Sequence, residues 1–296
     1  MSSILTNASA LSALQSLQQT QSALQTTENQ VSTGLAVSTA ADNASYWSIA
    51  TQLTSDSGVV TAANQALAQS QSVMSTASSA ISSVISTINS IESALTQATN
   101  PGASISNIQT TLTTLGQQLQ DAVSGASFNG LNVLDGSQTS ALDFVAGFNA
   151  STTGGTVNTI AFTANALIDA TSAGEGILEG GTGSATGSGT DLLTLGTTVT
   201  DATTAETALA GVATVLSNVT TYAATIGATQ DRMTAASTFN TALTTNYATG
   251  VSALVDADMN TASTRLQALQ TQEQLGIQSL SIANQNSQLI LKLFNG

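Results

Sequence analysis

The chain has 296 residues, of which seventeen are acidic, three are basic and none is cysteine or histidine, so its formal net charge is −14. Without histidine or cysteine it cannot form a Ser-His-Asp or Cys-His catalytic site, and it lacks the usual ligands of zinc, haem and iron–sulfur centres. Its three cations (Arg232, Arg265 and Lys292) are too few for a nucleic acid or an anionic membrane to be an expected partner. We therefore expect a protein that is not an enzyme and that binds no metal or cofactor.

Charged residues make up only 7% of the chain and apolar residues 41%, whereas soluble domains usually carry about 25% charged residues. A neutral polar surface suits a chain that packs densely against copies of itself, and the alternative is an acidic secreted protein of low charge. Residues 1–6 lack the basic and apolar regions of a Sec signal peptide, and no run approaches the roughly 20 apolar residues of a membrane span. The chain is expected to be cytosolic or to be exported by a route without a cleaved signal peptide.

Residues 1–33 are predicted to form a helix, because apolar side chains recur along one face. That face consists of Ala10, Leu11, Leu14, Leu17, Leu24 and Val31. Gly34 interrupts the pattern, and residues 34–45 are expected to be irregular.

A second helix is predicted from about Ala44 to Thr99, with the strongest pattern in the chain. Its apolar seam steps by three and four residues without a slip, which is typical of a long helix packed against other helices. The seam consists of Val60, Ala63, Leu67, Ser70, Met74, Ala77, Ile81, Val84, Ile88, Ile91 and Leu95. Near the helix start, the adjacent Tyr46 and Trp47 are expected to be a buried anchor rather than a ligand platform.

Asn100-Pro101-Gly102 ends this helix, since proline cannot continue it. A third helix is predicted to return antiparallel with Ser104 as its N-cap, and its apolar line includes Leu112 and Leu119. From residue 128 the pattern changes to short alternating stretches, with strands predicted at 142–145 and 156–162.

The middle of the chain is predicted to be short-stranded, rich in loops and exposed. Eleven of the 23 glycines lie between residues 139 and 200, together with five acids and no base. Gly181-Thr182-Gly183-Ser184 resembles a phosphate-binding or calcium-binding turn, but it lacks the third glycine of the first and the aspartate of the second. We interpret it as a flexible loop.

Helix is predicted again over 201–255, where Thr203 and Glu206 have the spacing of a capping box. Residues 256–296 also have a helical pattern and end in an apolar tip. Asp256 and Asp258, the closest pair of carboxylates on this predicted helix, are two residues apart and do not share a face, so they do not form a glycosidase pair.

These elements predict a mainly α fold with a small β-rich insert, in which both chain ends build a long antiparallel coiled-coil rod and the middle of the chain forms a separate domain. The predicted segments are 1–45 (N-terminal coiled coil and joining loop), 46–138 (rod helices and start of the hairpin region), 139–200 (β-rich and loop-rich middle domain), 201–255 (C-terminal rod helix) and 256–296 (C-terminal coiled coil). The predicted rod core consists of Val60, Leu67, Met74, Ile81, Ile88, Leu95, Leu112, Leu119, Val212, Val219 and Ile226.

Both chain ends are apolar and periodic, although termini are normally the least constrained part of a chain. Apolar ends without an internal partner indicate contacts with other subunits. The predicted inter-subunit contacts are Leu5, Leu11, Leu14, Leu17, Leu24, Leu280, Leu289, Leu291 and Phe294. Alternatively, some of them only pair the N-terminal with the C-terminal helix inside one subunit, and we expect both kinds of contact.

Several motifs, in the right order, resemble the bacterial flagellins, especially those of alphaproteobacteria. They cover about 1–136 and 201–296, and the resemblance implies that the middle block is the variable region of the family. The motifs are Met1-Ser2-Ser3-Ile4-Leu5-Thr6-Asn7, Ser32-Thr33-Gly34-Leu35 with Asp42-Asn43-Ala44, Phe128-Asn129-Gly130 with Val133-Leu134, Asp256-Ala257-Asp258, and the ending from Gly276 to Leu293-Phe294.

The resemblance implies a subunit that self-assembles into the extracellular flagellar filament used for motility. The chain ends would line the tubular filament, the rod would form its wall, and the ends would fold only on assembly. Export through the flagellar export apparatus, an export chaperone on the C-terminal segment, and hook-associated and cap proteins are further expected partners. The alternatives are a hook–filament junction protein and, from another class, a secreted surface-binding module that uses the acidic middle block.

The sequence departs from enteric flagellins at two places. Ala36 and Ala41 stand where the joining segment usually carries basic residues. Ser90, Ile91, Glu92 and Ser93 stand where the innate immune receptor reads Arg-x-Arg-Glu, so the bidentate contacts of both arginines are lost. The resemblance therefore predicts that this chain evades that receptor.

Overall fold

A computed structural model describes residues 7–138, 140–150, 155–169, 175–180 and 190–295, with side chains described up to residue 285 in the last helix. The chain divides into two compact units. We call residues 1–57 with 245–296 the terminal unit and residues 58–244 the central unit. The finer division into five segments stays a prediction.

The terminal unit contains two helices that pair side by side, α1 (Ala8–Thr33) and α6 (Met259–Asn295). The side chain of Asn7 caps α1 by accepting a hydrogen bond from the Ala10 amide at 3.1 Å. The same Asn7 donates from Nδ2 to the Ala283 carbonyl at 2.9 Å, and Gln21 Nε2 donates to Glu273 Oε1 at 3.3 Å. These contacts join the start of one helix to the later part of the other, so the pair is antiparallel.

The two connections of the terminal unit run beside each other. The amides of Ala36 and Val37 donate to the Val255 carbonyl at 2.7 and 3.2 Å, and the Ala257 amide donates to the Gly34 carbonyl at 2.8 Å. The Asp42 carboxylate accepts hydrogen bonds from the amides and hydroxyls of Thr39 and Ser38, which lower its pKa.

The predicted helical placement of Asp256 and Asp258 is wrong. Asp256 pairs with Leu35 in an isolated β-bridge, and Asp258 precedes α6. The Asp258 carboxylate accepts from the Thr261 hydroxyl at 2.9 Å and from the Asn260 amide at 3.0 Å, and these hydrogen bonds lower its pKa. The physical reason is that an aspartate at an N-cap satisfies amides that the first helical turn leaves without partners.

The central unit is built on three helices, α2 (Ala44–Ala98), α3 (Ile105–Ser124) and α5 (Ala202–Val255), of which α2 and α5 also contribute to the terminal unit. One hydrophobic cluster joins their apolar lines. The predicted mainly helical fold is confirmed, and the predicted ends of α2 and α3 lie within a few residues of the observed ones.

Strands β1 (Leu142–Asn149) and β2 (Thr156–Phe162) form an antiparallel two-stranded sheet with an irregularity between Val145 and Gly147. The predicted β2 matches the observed strand, whereas the predicted β1 was four residues too short. A one-turn 3₁₀ helix (Ile177–Glu179) and α4 (Leu195–Thr198) follow. Neither was predicted, because elements this short show no periodicity.

Two further sequence predictions are wrong. Trp47 is 40% exposed and Tyr46 is also exposed, because the buried position of that turn is Ala50. The predicted capping box of Thr203 is replaced by Asp201, whose Oδ1 accepts from the Thr204 amide at 2.8 Å. That hydrogen bond and one from the Thr204 hydroxyl lower the pKa of Asp201.

Among the described residues, α5 is long and apolar enough to cross a membrane by length and composition alone. Its most apolar line, which includes Val212, Val219 and Ile226, is buried in the central core. A core helix of this kind passes the same test as a membrane span.

Candidate assembly interface

The face between α1 and α6 contains few fully buried side chains. Thr27 on α1 and Ala262 and Leu269 on α6 are buried, whereas Leu17 and Leu24 are only half-buried. Gly276 allows close approach, because a Cβ atom at this position would lie 3.1 Å from Cδ1 of Leu17. The two helices therefore pack on each other within one chain, but few side chains are buried between them.

A groove runs along one side of this pair. Its volume is about 420 Å³, and its walls carry small, hydroxyl and amide side chains together with two leucines. The lining residues are Ala13, Ser16, Leu17, Thr20, Gln272, Leu275, Gly276 and Ser279. A surface of this shape accepts the side chains of a further helix better than it accepts a polar ligand.

Large apolar side chains lie exposed on both helices. Leu11 is 70% exposed, Leu275 is 58% exposed and Ile282 is 61% exposed, and Leu14 and Ile277 are exposed as well. Among the described residues, six of the twelve exposed large apolar side chains lie on these two helices and three more lie on the first part of α2, whereas Val59, Val157 and Phe239 lie in the central unit. Most of this exposure is therefore in the terminal unit.

The structure places the predicted inter-subunit residues in three groups. Leu11 and Leu14 are exposed, and Leu17, Leu24 and Leu280 are half-buried. Leu5 and the side chains of Leu289, Leu291 and Phe294 lie outside the described part of the chain. Sequence reasoning missed Leu275 and Ile282, although their seven-residue spacing from Ala268 was a usable signal.

The eleven predicted rod-core residues all lie in the central unit and have at most 1% of their surface exposed. Of the four residues aligned with the receptor-binding motif, Ile91 is fully buried, Glu92 is half-buried, and Ser90 and Ser93 are exposed. The hydroxyls of Ser90 and Ser93 donate to the carbonyls of Ser86 at 3.1 Å and Asn89 at 2.9 Å. They therefore point back onto their own helix.

Within the part of the chain that the structure describes, no group of three or more acidic, histidine or cysteine side chains could hold a metal ion. The carboxylates with a lowered pKa, Asp42, Asp201 and Asp258, accept hydrogen bonds from neighbouring amides and hydroxyls at turns and helix starts. These carboxylates therefore cap backbone amides at turns and helix starts.

Comparison with known protein families identifies the family to which this chain belongs. The family model for the bacterial flagellin N-terminal helical region matches residues 4–139, and that for the bacterial flagellin C-terminal helical region matches residues 209–294. Together they span well over half of the chain. The chain belongs to the bacterial flagellin family.

Curated relatives extend the similarity over the whole length. A flagellin of Brucella melitensis is 40% identical over 299 residues and covers 100% of both chains. Flagellin C of Rhizobium meliloti is 39% identical over 319 residues, and flagellin FljK of Caulobacter vibrioides is 32% identical over 297 residues, each with 99% of both chains covered.

As a flagellin, the chain is a structural subunit of the bacterial flagellar filament, which is a motility organelle outside the cell. It polymerises with copies of itself. No finding favours the alternative that it is a hook–filament junction protein.

Proposed function

We propose that the terminal unit is the part of this flagellin through which copies polymerise, and that α1 and α6 reach stable packing only when neighbouring copies cover them. The observation that carries this proposal is the exposure of Leu11, Leu275 and Ile282 on two helices that bury few side chains between them. Covering one such side chain contributes about 1.5–3 kcal/mol.

The energetics of an isolated terminal unit support coupling between folding and assembly. Ordering the backbone costs about 1–2 kcal/mol per residue, and α1 alone has 26 residues. Few buried side chains offset this cost in one copy, whereas a neighbouring copy supplies the missing apolar contacts. Order then depends on the partner, as in segments that fold on binding.

A filament also requires contacts that repeat without closing. When one surface of a subunit meets a different surface of the next subunit, each added copy presents the same free surface again. The terminal unit has exposed apolar residues on two different helices, as such a contact requires.

The finer partners follow from the family. We expect export through the flagellar export apparatus, a chaperone on the apolar segment that includes Leu289, Leu291 and Phe294, and hook-associated and cap proteins during assembly. We expect no enzymatic activity, since the sequence has no histidine or cysteine for a nucleophilic site.

The test of this function is seeded growth. The purified chain is heated to monomer, cooled and mixed with short filament fragments, and the products are viewed by negative-stain electron microscopy. We expect long filaments from the full chain and none after deletion of residues 1–33 or 262–296. Leu291→Asp should abolish growth while circular dichroism shows a folded central unit. Persistent monomers of the full chain, where a control flagellin grows, would favour a junction protein or a binding module.

The receptor-binding motif has a separate test. Reporter cells that carry the innate immune receptor should respond much less to this flagellin than to an enteric flagellin, because no arginine is present over Ser90–Ser93. The triple variant Ser90→Arg, Glu92→Arg, Ser93→Glu should recover part of the response. Equal potency of the unchanged chain and an enteric flagellin would contradict the proposal.

A further inference from the structure

The exposed side of α1 carries a regular stripe. Stepping by three and four residues from its start, every member of the stripe is exposed, the first two are leucines and the last is the helix's single charged residue. The stripe consists of Leu11, Leu14, Gln18, Gln21, Gln25 and Glu28. We call it the α1 outer stripe.

A second stripe of the same kind lies on α6, next to the face that packs on α1. Its members are all exposed. They are Thr261, Arg265, Ala268, Gln272, Leu275, Ser279 and Ile282. This α6 outer stripe has its charge at one end and its apolar residues at the other, as the α1 stripe does, but the sign of its charge is opposite.

The two charges have no partner within the described part of the chain. Neither Glu28 nor Arg265 makes a hydrogen bond or an ion pair with another described residue. Arg265 instead lies in an open pocket of about 460 Å³ with Asn260, Thr261 and Thr264, whose polar groups could hydrogen-bond a carboxylate beside the guanidinium. In a chain with seventeen acids and three bases, a free arginine is well suited to bind a carboxylate of another copy.

The spacing of the two stripes matches. Leu11 and Glu28 are 17 residues apart, and so are Arg265 and Ile282, which corresponds to about 26 Å along each helix. If the stripes pack antiparallel with Glu28 on Arg265, Leu11 therefore lies opposite Ile282. Leu14 then lies between the levels of Leu275 and Ile282. A slip of one heptad would move Glu28 away from Arg265 but would still leave Leu11 opposite a leucine, so the charge pair is the part of the contact that distinguishes the registers.

We propose that the α1 outer stripe of one copy packs antiparallel on the α6 outer stripe of a second copy, and that a Glu28–Arg265 ion pair between the copies sets their register. A pair of copies then keeps one free stripe of each kind, the α6 outer stripe on the first copy and the α1 outer stripe on the second, so further copies can add through the same contact. This inference rests on the proposed polymerisation through the terminal unit and assigns its contact and register.

The test combines charge exchange with cross-linking. Arg265→Glu and Glu28→Arg should each raise the monomer concentration needed for seeded growth by roughly tenfold or more, because a pairing becomes a repulsion. The double variant should return it close to the wild-type value. Arg232→Glu changes the same charge on an exposed residue of the central unit and serves as the matched control, which should grow normally.

Cross-linking distinguishes contacts between copies from contacts within one copy. The chain has no cysteine, so Glu28→Cys/Arg265→Cys introduces the only two thiols, and a bismaleimide whose span matches a Glu–Arg pair can join them. A ladder of covalent multimers from filaments supports the proposal. Cross-linked monomers alone, closed dimers alone, or normal growth of Arg265→Glu would overturn it. Failure of the wild-type chain to extend seeds would instead count against the proposed function.

Discussion

The two units of this flagellin use the same kind of helix in different ways. In the central unit, α2, α3 and α5 surround a continuous core in which residues such as Leu67, Ile88 and Leu119 are fully buried. In the terminal unit, α1 and α6 bury little more than Thr27 and Leu269 between them. The difference shows that helical periodicity alone does not create a core; the number of elements that close around the apolar face does.

The consequence is a division between stability within the chain and stability supplied by other copies. A third helix and the β-hairpin complete the central unit from the same chain. In the terminal unit, the outer apolar residues of α1 and α6 are left for a partner. Variants in the central unit should therefore change folding, whereas variants of the outer terminal residues should change polymerisation.

The largest expected effect is on polymerisation. Leu275→Asp places a charge on a side chain that is 58% exposed in the monomer and that we expect to be buried between copies, so seeded growth should stop while monomer circular dichroism stays unchanged. Val157→Asp is the matched control, because Val157 is equally exposed but lies on β2 in the central unit. If the Leu275 variant extends seeds, or if neither variant does, polymerisation does not depend on the outer apolar residues of the terminal unit in particular.

A substitution in the core should have the opposite signature. Ile88→Ala removes part of a fully buried side chain and leaves a cavity, so the free energy of unfolding should fall by about 2–5 kcal/mol. Denaturant unfolding of the monomer measures this loss. Ser90→Ala, on the exposed side of the same helix, should leave unfolding nearly unchanged. If Ile88→Ala lowers the free energy of unfolding no more than Ser90→Ala does, the side chain of Ile88 is not closely packed in the core.

Tyr222 gives a smaller and more specific effect in the central unit. Its hydroxyl donates to the Val133 carbonyl at 2.8 Å and accepts from the Asn165 amide at 3.1 Å. Tyr222→Phe leaves both groups without this partner and should lower the free energy of unfolding by about 1–3 kcal/mol. Thermal or denaturant unfolding at neutral pH checks this value, and a neutral result would mean that water replaces the hydroxyl.

The same residue makes a prediction for alkaline pH. Burial raises the pKa of Tyr222 from 10.0 to about 12, so the folded state favours the neutral phenol. Stability should be unaffected below pH 10 and should decrease as the pH rises from about 10 to about 12. The phenylalanine variant should lack this contribution, and an identical pH dependence in both proteins would contradict the assignment.

The smallest expected effect is the response of the terminal unit to acid. Hydrogen bonds lower the pKa of Asp258 from 3.8, so its capping contribution is present above that value and is lost as the pH falls through the lowered pKa. The helix signal of α6 should weaken slightly below about pH 4. In the Asp258→Asn variant, the helix signal in circular dichroism should change less over this pH range. Glu28→Gln also removes a carboxylate from the terminal unit, but not one that caps a helix, so this control should respond to acid as the unchanged chain does.

The long-range pattern of the fold was predictable where one physical rule dominated. The seam of α2 from Val60 to Leu95 and the stop at Pro101 follow from helical spacing and from the missing amide of proline. The tight turn between Phe128 and Leu131, with positive φ angles of 53° at Asn129 and 80° at Gly130, was not predicted, although an Asn-Gly pair favours such a turn. The predicted β2 matched because its alternation continues over the whole strand.

Other features depended on which elements meet. The sequence at the start of α5 offers two N-caps, Asp201 and a capping-box spacing at Thr203. Only the position of the first helical turn selects the aspartate. The adjacent Tyr46 and Trp47 were predicted to be a buried anchor and are exposed, because burial depends on whether another element covers that side of α2. The short helices near Ile177 and Leu195 are held by tertiary contacts and have no pattern of their own.

Composition and periodicity by themselves determined that this protein is a mainly helical chain with apolar, periodic ends and without the residues of common catalytic sites. The tertiary structure decided which apolar residues face inward. Leu67 and Leu275 belong to equally regular patterns, yet the first is fully buried and the second is exposed. The physical reason is that periodicity places residues on one face of a helix, whereas burial requires another element to cover that face.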